Sequence, residues 1–420
     1  MARFPDRFLW GVATAAHQVE GNNIACDSWL MEHLPDTVYR EPSGDAVDFY
    51  HRYPDDIAVI AALGLNAFRF GVEWARIEPE NGEISTAALD HYSRVVDICL
   101  GHGIEPVLTL HHFTSPQWLI RHNGGWRNAE TAQRFADFAA AVLARLGDRV
   151  TWVCTINEAN TPALLTAGGL LPESWRTKLA ETNRLAAKAF GVSEDEFCPF
   201  FPAASDDKAV EVVGQAHRLA VDSVHAVAPG AKVGITLALQ EIAADPGGEE
   251  TAELADDFVN RRYLRDMGVY GDFVGVQTYT RIVFGPDGAK PPTGRVSDNG
   301  LELVPGALTA TCRQAQQLTG LPVLVTEHGV DFDDANDGLR AGLIEDTLRE
   351  LGAAIADGLD VRGYLHWSLV DNFEWFNGYH GHFGLLGNDR STQRRWIRPS
   401  ALRYGAIARA NGFGGSGEPG

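Results

Sequence analysis

Short apolar and β-branched runs recur along this chain, separated by longer stretches whose apolar residues return every three or four positions. The runs are FLWGVAT (8–14), AFRFGVEW (67–74), IEPVLTLHHF (104–113), VTWVCTINE (150–158), KVGITLAL (232–239), DFVGVQTYT (272–280), PVLVTEHG (322–329) and VRGYLHWSLVD (361–371). Most are apolar at successive positions, which a strand shows when both of its faces are buried in a parallel sheet. The stretches between them read as amphipathic helices. Residues 54–64 end in Gly64, and residues 85–103 open on Ser85 and Thr86 and end in Gly103, the start and stop signals of a helix. Residues 129–147, 209–227 and 339–358 repeat the pattern.

Eight strands alternating with helices predict an α/β fold, a single closed (β/α)8 TIM barrel. An open doubly wound sheet is the competing architecture, but the first turn, GVATAAHQVEG, lacks its Gly-rich phosphate signature. The barrel is expected to occupy residues 1–410 as the catalytic domain, with 411–420 a disordered Gly-rich tail. Two connections, about 161–206 and 281–306, are too long for plain crossovers. They follow strands four and six, so they are expected to rise as long loops over the C-terminal face, where barrel active sites sit.

Composition narrows the partners. A formal net charge of −21 argues against nucleic acid and anionic membranes, which are polyanions. The five cysteines are scattered, odd in number and without CxxC spacing, which is the usage of a reducing compartment. The start, MARFPDRFLWG, has no basic segment leading into an apolar one, and no run of 18 apolar residues occurs. A cytoplasmic protein is therefore expected, with a small-molecule substrate. The sequence specifies no oligomeric state.

In a barrel, polar residues at the C-terminal strand ends face one pocket. Strand one leads into Gln18 and Glu20, strand two carries Arg69 and Glu73, and strand three ends in His111 and His112. Strand four ends in Asn157 and Glu158, strand six in Gln277 and Tyr279, strand seven in Glu327, and strand eight carries Trp367 into Asp371–Trp375. Glu158 and Glu327 make a carboxylate pair across the pocket. Two carboxyls flanking a site, one protonated and one ionised, are what glycoside hydrolysis needs. Arg69 would hold one anionic, and that charge would raise the pKa of the other. Trp367, Trp375, Trp126 and Trp74 offer flat faces for sugar C–H surfaces, and Gln18, His112, Asn157 and Glu374 offer hydrogen bonds for hydroxyls. No cofactor and no metal is expected. Neighbouring strand residues such as His111 and His112 point to opposite faces and cannot chelate together, and His380 and His382 lack a carboxylate cluster.

These motifs resemble glycoside hydrolase family 1, the β-glucosidase-like retaining enzymes, from about Phe4 to Tyr404. FLWGVATAAHQVEGN is similar to the family's opening strand and puts Gln18 at its sugar-binding glutamine. FRFGVEWARIEP puts Arg69 at the arginine supporting the nucleophile, and LTLHHFTSPQWL puts His112 at a sugar-binding histidine. TINEAN resembles the acid/base motif, with Asn157 beside the acid/base Glu158; VTEHG resembles the nucleophile motif, with Glu327 as nucleophile. Tyr279 matches the tyrosine contacting that nucleophile. WSLVDNFEWFNGYHGHFGL resembles the closing signature, which places Trp367, Glu374 and Trp375 in the glycone pocket, as in members that bind neutral sugars. The departures are Gln277 and Thr278 for asparagine and tyrosine, Ala159 for proline, His328 for asparagine and His382 for arginine. Ala159 and Asn160 are expected at the mouth of the aglycone side.

The resemblance implies a retaining exo-β-glycosidase acting on terminal β-D-glucosyl, galactosyl or fucosyl residues by double displacement. Transglycosylation to a specialised aglycone uses the same intermediate. A Schiff-base aldolase on the same barrel needs a strand lysine, and the strands hold only Lys232, at the N-terminal end of strand five. A binding protein that has lost its chemistry would not need both carboxylates and their supporters.

Overall fold

Alternation within each strand decides what enters the barrel. In Ala67–Gly71, Ala67 and Arg69 turn inward while Phe68 and Phe70 pack outward against the helices, as a pleated strand requires. The computed structural model, which describes residues 3–166 and 173–413, contains all eight expected strands. They are β1 (Leu9–Ala13), β2 (Ala67–Gly71), β3 (Glu105–His111), β4 (Trp152–Ile156), β5 (Lys232–Ala238), β6 (Phe273–Gln277), β7 (Val323–His328) and β8 (Val361–Trp367). Every neighbouring pair is parallel, and β1 closes on β8 with Leu9 opposite Gly363 and Ala13 opposite Trp367.

The five expected helices are present as Phe49–Ala62, Thr86–Gly101, Glu130–Leu146, Asp207–Val227 and Asp337–Ala356. Glu249–Asp256, Pro305–Thr319 and Pro399–Ala410 complete the ring. Ser85 and Asp206 cap two of them by accepting from the backbone N–H of Ala88 and Ala209. One start was misplaced. The expected helix over residues 54–64 begins earlier, at Phe49, with Pro54 inside it. Phe49 is buried against Phe68, and Asp48 binds the side chains of His51 and Arg52 and accepts from their backbone N–H groups, which holds the first turn.

Inside the barrel, Ala13, Ala67, Val107, Cys154, Leu324 and Leu365 form a narrow core above Trp152 and Phe273, which meet edge to face at 5.1 Å. Lys232 lies over the Trp152 ring, 4.6 Å from its centroid, at the end of the barrel opposite the strand C-termini. That placement removes the lysine an aldolase would need.

The two long connections are folded rather than open loops. The first contains the helices Thr161–Thr166 and Glu173–Phe190; its residues 167–172 lie outside the described part. The second forms a small sheet, in which Arg281–Gly285 pairs with Glu241–Ala244 and with Gly288–Ala289. Of the expected tail, 414–420 lie outside the described residues, but Asn411–Phe413 belong to the body. Asn411 accepts from the Trp10 indole at 2.9 Å and donates to the Phe4 carbonyl at 2.9 Å. All five cysteines are buried and free. No helix among the described residues is long and apolar enough to cross a membrane.

Candidate active site

Strand β4 ends in a turn that aims its polar residues. Glu158 has φ 47°, a left-handed conformation that costs a non-glycine residue about 1–3 kcal/mol and persists only where its surroundings enforce it. The enforcing contacts are visible. Its N–H donates to Thr236 Oγ1 at 3.2 Å, its carbonyl accepts from the Thr161 N–H at 2.9 Å, and Thr161 Oγ1 donates to its Oε2 at 2.8 Å. Asn160, fully buried, donates to the carbonyls of Ala238 and Val259 and accepts from the Ala238 N–H, each at 2.8 Å. Asn160 is therefore a stitch between strand ends. Neither it nor the buried Ala159 lines the cavity described below, contrary to the expectation that they stand at the aglycone mouth.

Glu327 reaches the same space from β7. The register slips between Val325 and Glu327 against β6 and again before His328 against β8, an irregularity of the kind that re-aims side chains at active sites. Arg69, with no exposed surface, crosses the barrel to meet it. Its Nη1 donates to Glu327 Oε1 at 2.5 Å, its Nε to Thr109 Oγ1 at 2.9 Å, and its Nη2 to Asn157 Oδ1. Tyr279 donates its hydroxyl to Glu327 Oε2 at 2.7 Å. Burial pushes the Glu327 carboxyl up, and the guanidinium and the phenol pull it back. Glu158 has no such cation in contact. Burial, and then the charge of Glu327, raise it to about 8. Burial raises both carboxyls, but only Glu327 has a guanidinium and a phenol in contact to favour its anion, whereas the charge of Glu327 adds to the rise of Glu158.

A cavity of about 370 Å³ contains both carboxyls together with Gln18, His112, Tyr279, Trp367, Glu374 and Trp375. Three buried polar atoms on its wall lack a protein partner: Gln18 Oε1, His112 Nδ1 and Glu374 Oε1. Such atoms cost about 1–3 kcal/mol each unless something bonds them. Gln18 is held by donating to Asn372 Oδ1 at 3.0 Å and to the Phe373 carbonyl at 2.8 Å. His112 Nε2 is 3.1 Å from Asn157 Nδ2, and burial holds the ring well below its ordinary pKa. It therefore accepts from the amide at Nε2 and carries its proton on the free Nδ1. Trp375, itself at φ 52°, stacks on His17 at 5.4 Å and packs against Phe113 and Phe201.

Arg69 and Asn157 do not line the cavity; they act from behind it. Asn157 Oδ1 accepts from Arg69, from Thr236 Oγ1 at 3.1 Å and from Gln277 Nε2 at 2.8 Å. Gln277, the departure at the end of β6, thus helps orient Asn157. The other departures also face away from the cavity. Thr278 bonds Thr311 at 2.7 Å, His328 bonds the Tyr364 hydroxyl at 2.8 Å, and His382 bonds Asp371 at 3.1 Å.

Other strand-end residues prove structural. Trp74 and Trp126 are not pocket walls: both are buried in the outer core, against Phe138 and Phe200 respectively. His111 points away from His112 and packs edge to face on Trp126. Glu20 pairs with Arg76 at 2.8 Å, and Glu73 accepts from Thr114 Oγ1. Thr109 and Thr236, which orient Arg69, Asn157 and Glu158, escaped the sequence reading. Their signal was a lone hydroxyl inside an otherwise apolar strand.

The comparisons agree with this geometry. The model of glycosyl hydrolase family 1 matches residues 1–282 and 286–413. Thermostable beta-glucosidase B of Thermobispora bispora is 35% identical, over 98% of this chain and 91% of that one. A bifunctional beta-D-glucosidase/beta-D-fucosidase of Bifidobacterium breve is 32% identical, over 93% and 95%. The crystal structure of beta-glycosidase BGL167 superposes with a TM-score of 0.92 at 46% identity, covering 99% of this chain and 100% of that one. With its barrel, its carboxylate pair and nearly its whole length accounted for, the chain belongs to glycosyl hydrolase family 1.

Proposed function

We propose that the protein is a retaining exo-β-glycosidase that releases terminal, non-reducing β-D-glucosyl residues, with galactosyl and fucosyl as the alternative glycones. The observation that carries this reading is the set of three unpartnered polar atoms in one cavity with two carboxyls, Glu158 raised to about 8 and Glu327 in contact with a guanidinium. Sugar hydroxyls both donate and accept, so one neutral glycone satisfies all three. Trp367 and Trp375 supply flat apolar faces beside them.

In the first step Glu327 attacks the anomeric carbon and the glycosidic bond breaks as Glu158 passes its proton to the leaving oxygen. Arg69 and Tyr279 keep Glu327 ionised until it attacks. Ester formation then removes the Glu327 charge, one of the causes that raise Glu158. The Glu158 pKa falls, and its carboxylate becomes the base that takes a proton from water attacking the ester-bound carbon. Two inversions give net retention, which requires carboxyl groups about 5–5.5 Å apart. An alcohol in place of water gives transglycosylation. Asn157 Nδ2 is directed at His112 Nε2, so from behind the cavity Asn157 fixes the ring whose free Nδ1 meets a sugar hydroxyl. Five free cysteines support a reducing, cytoplasmic setting.

A panel of p-nitrophenyl glycosides tests the reading. The β-glucoside is expected to be turned over and the α-glucoside not, with the β-galactoside and β-fucoside ranking the glycone. Release of nitrophenol from none of the three β-glycosides would remove the assignment.

A further inference from the structure

Beside the sugar-sized cavity lies a larger one of about 740 Å³. The two share Leu164, Leu165, Gln240, Thr280 and Leu301, so the larger space continues outward from the catalytic carboxyls. Its walls come from the two long connections, with Leu164 and Leu165 from the first and Ile282, Val283 and Pro291 from the second, and from Ala243 in the segment after β5. Two features set it apart from the glycone cavity. No Trp, Tyr or Phe is among the described residues that line it, so it lacks the aromatic faces on which a sugar ring stacks. Its charged side chains are also engaged with each other. Lys290 pairs with Asp245, and Arg281 lies 3.5 Å from Glu302. Few polar side chains are left over: the buried Arg281 Nε lacks an acceptor, and Gln240 and Thr293 also line the groove, a small set for the several hydroxyls of a second sugar.

Building on the glycosidase reading, we propose that this groove receives the aglycone, and that the aglycone is an aliphatic group, an alkyl chain or isoprenoid, rather than another sugar. Burying such a group against leucine, isoleucine, valine and proline is favourable in proportion to the apolar area removed from water. A sugar placed there would lose water from more hydroxyls than the groove's few free polar groups replace.

The test is kcat/KM for n-alkyl β-D-glucosides from butyl to decyl, below their micelle concentrations, with cellobiose, cellotriose and p-nitrophenyl β-glucoside alongside. The leaving oxygen has the same basicity along the alkyl series, so differences report contact rather than chemistry. A rise of about two- to fourfold per added methylene is expected, with both cello-oligosaccharides below octyl glucoside. Ile282→Asp and Ala243→Asp, which change this groove only, are expected to flatten the series while leaving turnover of β-D-glucosyl fluoride, whose leaving group does not reach the groove, unchanged. A flat series in the unmodified enzyme that still cleaves p-nitrophenyl β-glucoside overturns the aliphatic groove alone, as does preference for cellotriose over octyl glucoside. Failure on p-nitrophenyl β-glucoside itself overturns the glycosidase reading and this proposal with it.

Discussion

Replacing Glu327 by glycine is expected to lower kcat on p-nitrophenyl β-glucoside by about 10⁴-fold or more, the scale on which loss of a covalent nucleophile is felt. Azide or formate is expected to restore part of it. The substitution leaves Tyr279 in place and leaves Arg69 with Thr109 and Asn157 as remaining acceptors. A small anion entering the vacated space therefore meets the guanidinium and hydroxyl that held the carboxylate. It attacks the same face of the anomeric carbon, and azide should yield the α-glycosyl azide, a single inversion. Removing one member of a buried ion pair costs about 3–5 kcal/mol of stability. The comparison therefore includes a thermal melt, to show that the variant is folded when assayed. Turnover at the unmodified rate, or a β-configured azide product, would contradict the role assigned to Glu327.

The second large effect concerns Glu158. Its carboxyl is raised to about 8 by burial and then by Glu327, so it is protonated below that pH. The first step needs the protonated form. Activity is therefore expected to fall as pH rises through about 8, and this basic limb belongs to Glu158. Glu158→Ala is expected to abolish the limb and to lower kcat/KM for alkyl glucosides by about 10²–10⁴-fold, the usual contribution of a positioned acid. A dinitrophenyl glucoside, whose leaving group needs no proton, should lose far less in that step. Equal losses for both substrates, or a basic limb that survives the substitution, would assign the proton to another group.

The barrel was legible because its physics is periodic: strands buried on both faces leave uninterrupted apolar runs, and amphipathic helices leave a repeat of three to four. All eight strands sit inside the runs that announced them. Glu158 and Glu327 were legible for a related reason, since a carboxylate at the end of a buried strand stands out against its apolar neighbours. What stayed hidden depends on neighbours distant in sequence. Trp74 and Trp126 have the same side chain as Trp367 and Trp375, and only packing against Phe138 and Phe200 shows that they belong to the core. Asn160 reads as a residue of the aglycone mouth because the three bonds that bury it go to Ala238 and Val259, distant in sequence. Asn157 reads as a simple ligand until Arg69, Thr236 and Gln277 converge on its oxygen. The helix Glu173–Phe190 has little apolar content to mark it, its buried residues being mainly alanine and threonine with Leu179 and Phe190.

The central claim is that Glu327 carries the sugar as a covalent ester. A 2-deoxy-2-fluoro β-glucosyl donor with a reactive leaving group tests it most directly. The fluorine disfavours the oxocarbenium-like transition states of both steps, while the good leaving group lets only the first proceed. Mass spectrometry of the intact enzyme and of its peptides is expected to show one fluoroglucosyl group per chain, located on Glu327. Label on Glu158 or any other residue, or steady turnover of the donor with no adduct, would contradict the account.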